Sequence, residues 1–206
     1  MFGKLLINFV IDNSACLKGE AGEKLVSSVS NFDKKIKDNN LNDSILYSIT
    51  VNKGFSSCII KNFNEDYDSN SFKILGLPFV DSSLLLGTNN LMKFAADIAK
   101  TDKIFKPWTI FLTTGDSYDK VDESINLLLT ILKNGKMSYF PFALTYNELD
   151  SNLLKLRKLK PFTTIKDNMY SNLFDWIFDF ASNRVNTPLD KSISLNPNSF
   201  EGWTIK

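Results

Sequence analysis

Residues 4–11, KLLINFVI, constrain the fold more than any other stretch of the chain. Nearly every position is apolar. A strand with one wet face alternates apolar and polar residues, whereas a strand buried on both faces reads as a continuous apolar run. Such strands belong to parallel sheets covered by helices on both sides. The next segment, 20–37, carries Leu25, Val29, Phe32 and Ile36 at helical spacing with Lys and Asp between them, an amphipathic helix. The loop DNNLND, 38–43, ends it, and 44–52, SILYSITVN, reads as a strand. Lys53-Gly54 makes a tight turn into a hairpin partner, 55–61.

Residues 62–83 read as a long polar connection, with an extended piece from Lys73 to Val80 that contains Pro78. Gly87-Thr88 is then expected to open a helix over 89–101, with Leu91, Phe94, Ala95 and Ile98 on one side. Pro107 introduces a buried strand, WTIFLTT, followed by a helix over 119–134 with Gly135 at its C-cap. A strand over 137–145, a short helix 148–156, a short strand near 162–165 and a helix 170–183 complete the pattern. Phe174, Trp176, Phe178 and Phe180 on that last helix are expected to be mostly core. The alternation predicts an α/β fold: three layers, doubly wound, with a mostly parallel central sheet and one antiparallel edge strand from the hairpin. The 206 residues suit one domain, 1–183, with 184–206 a tail packed on its surface and Trp203 docking it.

The chain has no histidine. That removes Ser-His-Asp and Cys-His nucleophile pairs, histidine general bases and histidine metal ligands. Two cysteines, Cys16 and Cys58, give neither a disulfide framework nor a zinc site, and free thiols point to the cytoplasm. Net charge is +1 with acids and bases mixed, which argues against a nucleic-acid surface. No run approaches the length of a membrane span. The apolar N-terminus is interrupted by Asn8, ends in Asp12 and lacks a small-x-small cleavage site, so it reads as a strand and not a signal peptide. GEAGEK, 19–24, has the wrong spacing for a phosphate loop, and LLKLRKLK, 153–160, reads as a solvated helix end.

In doubly wound sheets, ligands sit beyond the carboxyl ends of the strands where the strand order reverses. That rule selects the loops 12–19, 113–118 and 143–148, with 84–88 facing the same crevice. They contain Asp12-Asn13-Ser14-Ala15-Cys16, Leu112-Thr113-Thr114-Gly115 and Gly87-Thr88-Asn89-Asn90-Leu91. Taken alone, Asp12 with Ser14, or Gly87-Thr88, is an ordinary turn or helix cap. In order along the whole chain, and with Gly202-Trp203 in the tail, they resemble the von Willebrand factor A domain family and within it the bacterial TerY/YegL type.

The resemblance implies a metal-ion-dependent adhesion site, in which two serines, a threonine and two aspartates hold Mg²⁺ and an open position takes a partner carboxylate. Mg²⁺ demands near-octahedral oxygen ligands at about 2.1 Å. This chain departs at two positions of the motif. Cys16 stands where a second serine is expected, and a thiol is a poor ligand for a hard cation. Thr114 stands where the second aspartate is expected. The remaining candidates are Asp12, Ser14 and Thr88, with Asp116 as a possible substitute carboxylate. The expectation is a degenerate site holding no cofactor, or weakly bound Mg²⁺ or Ca²⁺. The partner-binding face is expected to include Asn13, Lys18, Asn89, Ser117 and Tyr146.

The resemblance implies a non-enzymatic interaction module of bacterial stress-response or tellurite-resistance systems, with a protein kinase or phosphatase as partner and no nucleic acid or membrane. The alternative is a metal-dependent binder with a rearranged site that includes Asp116. An Asp12 phosphoryl acceptor would need a second acid nearby, and position 14 is Ser.

Overall fold

The computed structural model describes residues 3–12, 17, 19–53, 55–72, 77–144, 149–165, 169–191 and 203–205, the last three by their backbone. The first strand, β1 (Leu5–Ile11), is buried at every position, as its apolar run requires. Helix α1 (Glu20–Asp38) buries Leu25, Val29, Phe32 and Ile36, the stripe read from the sequence. Strands β2 (Ile45–Lys53) and β3 (Ser56–Lys61) form the expected antiparallel hairpin. Then come α2 (Val80–Ile98), β4 (Trp108–Thr113), α3 (Asp122–Lys133) and β5 (Ser138–Ala143). The short α4 (Ser151–Leu154), β6 (Thr163–Ile165), α5 (Tyr170–Val185) and β7 (Trp203–Ile205) close the chain.

The sheet order is β3-β2-β1-β4-β5-β6-β7. The five strands from β2 to β6 run parallel, and β3 is the predicted antiparallel edge. The tail adds β7, antiparallel to β6, at the opposite edge. A three-residue strand carries too little periodicity to be read from sequence, and here backbone pairing to β6 defines it.

One face of the sheet packs α1 and α5 around an aromatic cluster. Phe9, Phe32, Tyr47 and Phe174 lie with ring centroids 5.4–6.0 Å apart. Trp176 and Phe178 are buried in the same core, with Phe180 packed against it. The other face packs α2 and α3 against Leu6, Val10, Phe111, Tyr139 and Ala143.

Helix α2 departs from the expected boundaries. It starts at Val80, about two turns before Gly87-Thr88, so that pair lies inside the helix and does not open it. Val80, Leu84, Leu91 and Ala95 form one buried stripe, and the polar Asp81-Ser82-Ser83 is its first turn. Gly87 is there because the helix approaches the sheet too closely for a side chain. A Cβ at that position would lie 2.9 Å from Thr50 Oγ1, 2.9 Å from Val10 Cγ2 and 3.0 Å from Asn8 Nδ2. The backbone of α2 therefore rests directly on the side chains of Asn8 and Val10 from β1 and Thr50 from β2.

Gly87→Ala should accordingly destabilise the protein by about 1–3 kcal/mol, since overpacking outweighs the gain of about 1 kcal/mol in helix propensity. Urea denaturation measures it, and an increase in stability would mean that the helix shifts without cost.

Candidate functional site

The order of the sheet reverses at β1, which has β2 on one side and β4 on the other. Their carboxyl ends open the crevice where ligands bind in such sheets. Asp12 sits at that point, immediately after β1, and its N–H still donates to Leu112 O at 2.8 Å. Its side chain is 1% exposed.

The protein itself occupies one of the Asp12 carboxylate oxygens. Oδ2 accepts from Thr113 Oγ1 at 3.0 Å, from Thr114 N at 3.1 Å and from Thr114 Oγ1 at 3.0 Å. Oδ1 is buried without a hydrogen-bond partner among the described residues. Burial pushes the Asp12 carboxyl up to about 6 against the pull of those three hydrogen bonds, and the negative charge of Asp116 adds to the rise. An aspartate with that history is a carboxylate held where a carboxylate is disfavoured, a common property of functional sites.

Asp116 is exposed in the loop that follows β4, within electrostatic range of Asp12. Ser117 is buried, and its hydroxyl donates inward to Asp119 Oδ1 at 2.8 Å. Thr88 is buried inside α2, and its hydroxyl has no hydrogen-bond partner. Asn89, next to it, is exposed on the helix. Asn13, Ser14, Cys16, Lys18 and Tyr146 lie outside the described residues.

Asp119 plays a part that the sequence did not suggest. Its carboxylate accepts from the N–H groups of Val80, Asp81 and Ser82 at 2.8, 2.9 and 3.3 Å, closing the N-terminus of α2. Asp81 returns the service: its Oδ1 accepts from Ser124 N at 2.9 Å in the first turn of α3. Each helix thus borrows its capping carboxylate from the other, and both carboxylates sit at positive helix ends. A capping box shows in sequence because cap and helix are neighbours; these partners are 37–43 residues apart. The exchange fixes the loop that carries Gly115 to Tyr118. Gly115 O also accepts from Asp150 N at 2.7 Å, at the start of α4.

The resemblance implies a divalent cation here. Among the described residues, no three acidic or cysteine side chains come together as a metal cluster. Asp12 is the one buried carboxylate at the strand ends among the described residues, and one of its oxygens already accepts three hydrogen bonds. Thr114 spends its hydroxyl proton on that carboxylate, and Thr88 is set into a helix interior instead of a loop. Among the described residues, Asp12, Thr88 and Thr114 as placed do not by themselves fit a tightly held Mg²⁺, which needs several free oxygens in octahedral array.

No family model and no curated protein matches the chain by sequence. Solved structures do match in shape. The SpRpn10 von Willebrand factor A domain superposes with a TM-score of 0.58 at 14% identity, covering 94% of this chain and all of that one. A von Willebrand factor type A protein from Catenulispora acidiphila gives 0.60 at 10% identity, covering 87% of this chain and 43% of that one. The pilus adhesin SpaC from Lactobacillus rhamnosus GG gives 0.62 at 11% identity, covering 89% and 30%. The chain thus spans the whole of the first and less than half of the other two.

The Asp12 carboxyl gives a pH test. Raised from 3.8 to about 6, it makes the folded state bind a proton more tightly than the unfolded state. Stability is then greatest below about pH 4 with respect to this group and falls as pH rises through 6. The loss is on the order of 3 kcal/mol for a rise from 3.8 to about 6. Asp12→Asn keeps an acceptor and cannot ionise, so its stability relative to the wild type should increase between pH 4 and 7. Parallel pH profiles of denaturation for the two proteins would refute the assignment.

Proposed function

Taking the von Willebrand factor A fold as premise, we propose that this chain is a non-enzymatic protein-interaction module that engages its partner with the loops at the carboxyl edge of the sheet, without a bridging cation. The observation that carries the reading is the state of Asp12. At the switch point of the sheet, its Oδ2 is tied to Thr113 and Thr114 instead of being offered to a metal. The adhesion site is degenerate in this reading, with Cys16 and Thr114 in place of two oxygen ligands. The TerY-like resemblance adds a bacterial stress-response or tellurite-resistance setting, a cytoplasmic location, and an associated kinase or phosphatase as partner. No helix among the described residues is long and apolar enough to cross a membrane, which is compatible with that location. One of the structural neighbours is described as a pilus adhesin, a protein whose work is binding.

A non-enzymatic role rests on the same residues. Phosphoryl transfer to Asp12 would need a second acid beside it. Its contacts are hydroxyls and a backbone N–H.

A second reading has one observation in its favour. The unpartnered Oδ1 of Asp12 and the nearby charge of Asp116 are the elements of a rearranged Mg²⁺ or Ca²⁺ site. Thermal unfolding of metal-stripped protein, titrated with Mg²⁺, Mn²⁺ or Ca²⁺, separates the two. A ligand of the native state at a hundredfold excess over Kd adds about 2.7 kcal/mol, or roughly 5–10 °C for a chain of this size. We expect no shift at millimolar metal, and partner binding that survives EDTA. A shift that vanishes in Ser14→Ala and Asp116→Ala would establish the rearranged site instead.

A further inference from the structure

Three aromatic side chains form a row along the rim beside the Asp12 crevice. Phe55, in the turn between β2 and β3, is 84% exposed, and Tyr118, in the β4–α3 loop, is 67% exposed. Phe79, immediately before α2, stands between them, its ring 5.7 Å from that of Phe55 and 6.3 Å from that of Tyr118. The three come from three separate connections, so the row exists only in the folded chain. Its Phe79 and Tyr118 end is also held in place. Tyr118 N donates to Pro78 O at 2.9 Å, and the Asp119 carboxylate locks the first turn of α2 just behind Phe79. Leaving such rings in water forgoes the stabilisation that burying them would bring. Rigid exposed aromatics lose little conformational freedom on binding, aromatic residues are enriched at interfaces, and Tyr is among the residues enriched at hot spots.

The charge around the row selects the partner. The connection into α3 carries Asp116, Asp119 and Asp122 against Lys120. The Asp12 carboxylate meets it at Thr114, and the Asp81 carboxylate meets the start of α3 at Ser124. Asp122 is paired with Lys155, and Asp119 and Asp81 serve the helix ends. Asp116 remains exposed, without an ion pair among the described residues. Among the described residues, the cations near this rim are Lys120, Lys155, which pairs with Asp122, and, in the β2–β3 turn, Lys53. An exposed carboxylate without an ion pair, two residues from an exposed ring, disfavours a partner carboxylate and favours a cation, and a guanidinium stacks on aromatic faces while pairing with a carboxylate through its planar fork.

We propose that the row Phe55–Phe79–Tyr118, with Asp116 at its end, docks an arginine-bearing segment of a partner protein. The guanidinium stacks on an exposed ring and pairs with Asp116, and an apolar neighbour of the arginine packs between rings. This reverses the polarity of recognition through a metal-bound carboxylate. It rests on the interaction-module reading and deepens it.

The test is selection of random linear peptides on the full chain, in EDTA and separately in Mg²⁺. The expected binders carry Arg beside an apolar residue and appear in both buffers. A synthetic peptide from that set should bind Phe55→Ala and Tyr118→Ala roughly tenfold more weakly. Asp116→Asn should weaken it several-fold, as should Arg→Lys in the peptide. The melting temperatures of Phe55→Ala and Tyr118→Ala should match the wild type, because both side chains are exposed. Binders rich in Asp or Glu that require Mg²⁺ would overturn the proposal. So would Arg-bearing binders indifferent to both aromatic substitutions. Indifferent Arg-bearing binders would leave the cation-free interaction-module reading standing, whereas Mg²⁺-requiring binders would replace it with the rearranged-site reading. The absence of enriched binders in both buffers would sink the proposal and the interaction-module reading together.

Discussion

With both edges hydrogen-bonded and both faces covered, β1 delivers Asp12 into the crevice between β2 and β4 with no freedom to leave it. Every residue of the strand is buried, including Asn8, whose Oδ1 accepts from Ser48 on β2. A carboxylate at the end of such a strand is costly unless donors meet it. Thr113 and Thr114 supply those donors from the end of β4, and the remaining oxygen stays unpartnered among the described residues. The raised pKa of Asp12 is the electrostatic record of that compromise.

Around this fixed point the two helices on one face stabilise each other through exchanged carboxylates. Asp119 closes α2 and Asp81 closes α3. The exchange has a consequence for function, because the segment it immobilises is the rim of the crevice. Phe79 and Tyr118 flank the Asp119 cap, and the backbone bond from Tyr118 to Pro78 joins them. Surface exposure and backbone anchoring thus come together at one edge, the edge on which the proposed docking of a partner rests. The same arrangement shows why Thr88 is not presented as a loop ligand. A helix starting at Val80 carries it into the interior, beside a glycine that must stay small.

Where the sequence could be read, one-dimensional periodicity was enough. The stripe Leu25, Val29, Phe32 and Ile36 gave α1, and the unbroken apolar runs gave β1 and β4. The hairpin followed from a turn between two alternating segments. Asp12 could be singled out because the end of a central strand at a switch point is a position of known consequence. The start of α2 was not legible, since Val80-Asp81-Ser82-Ser83 lacks a local cap and its capping carboxylate lies near α3. Strand β7 was equally hidden, because three residues carry no pattern and become a strand only through pairing with β6.

The sequence by itself determined the alternation of buried strands and amphipathic helices, the absence of histidine chemistry, and the placement of one aspartate at the end of the first strand. These are local properties, fixed by side-chain type and spacing. Tertiary structure decided which threonines hold that aspartate, which carboxylate closes which helix, and which aromatics stand together at the rim. Those relations join residues tens of positions apart, up to 102 between Asp12 and Thr114. Hydrogen bonds and ring contacts act over a few ångströms of space, whatever the distance along the chain.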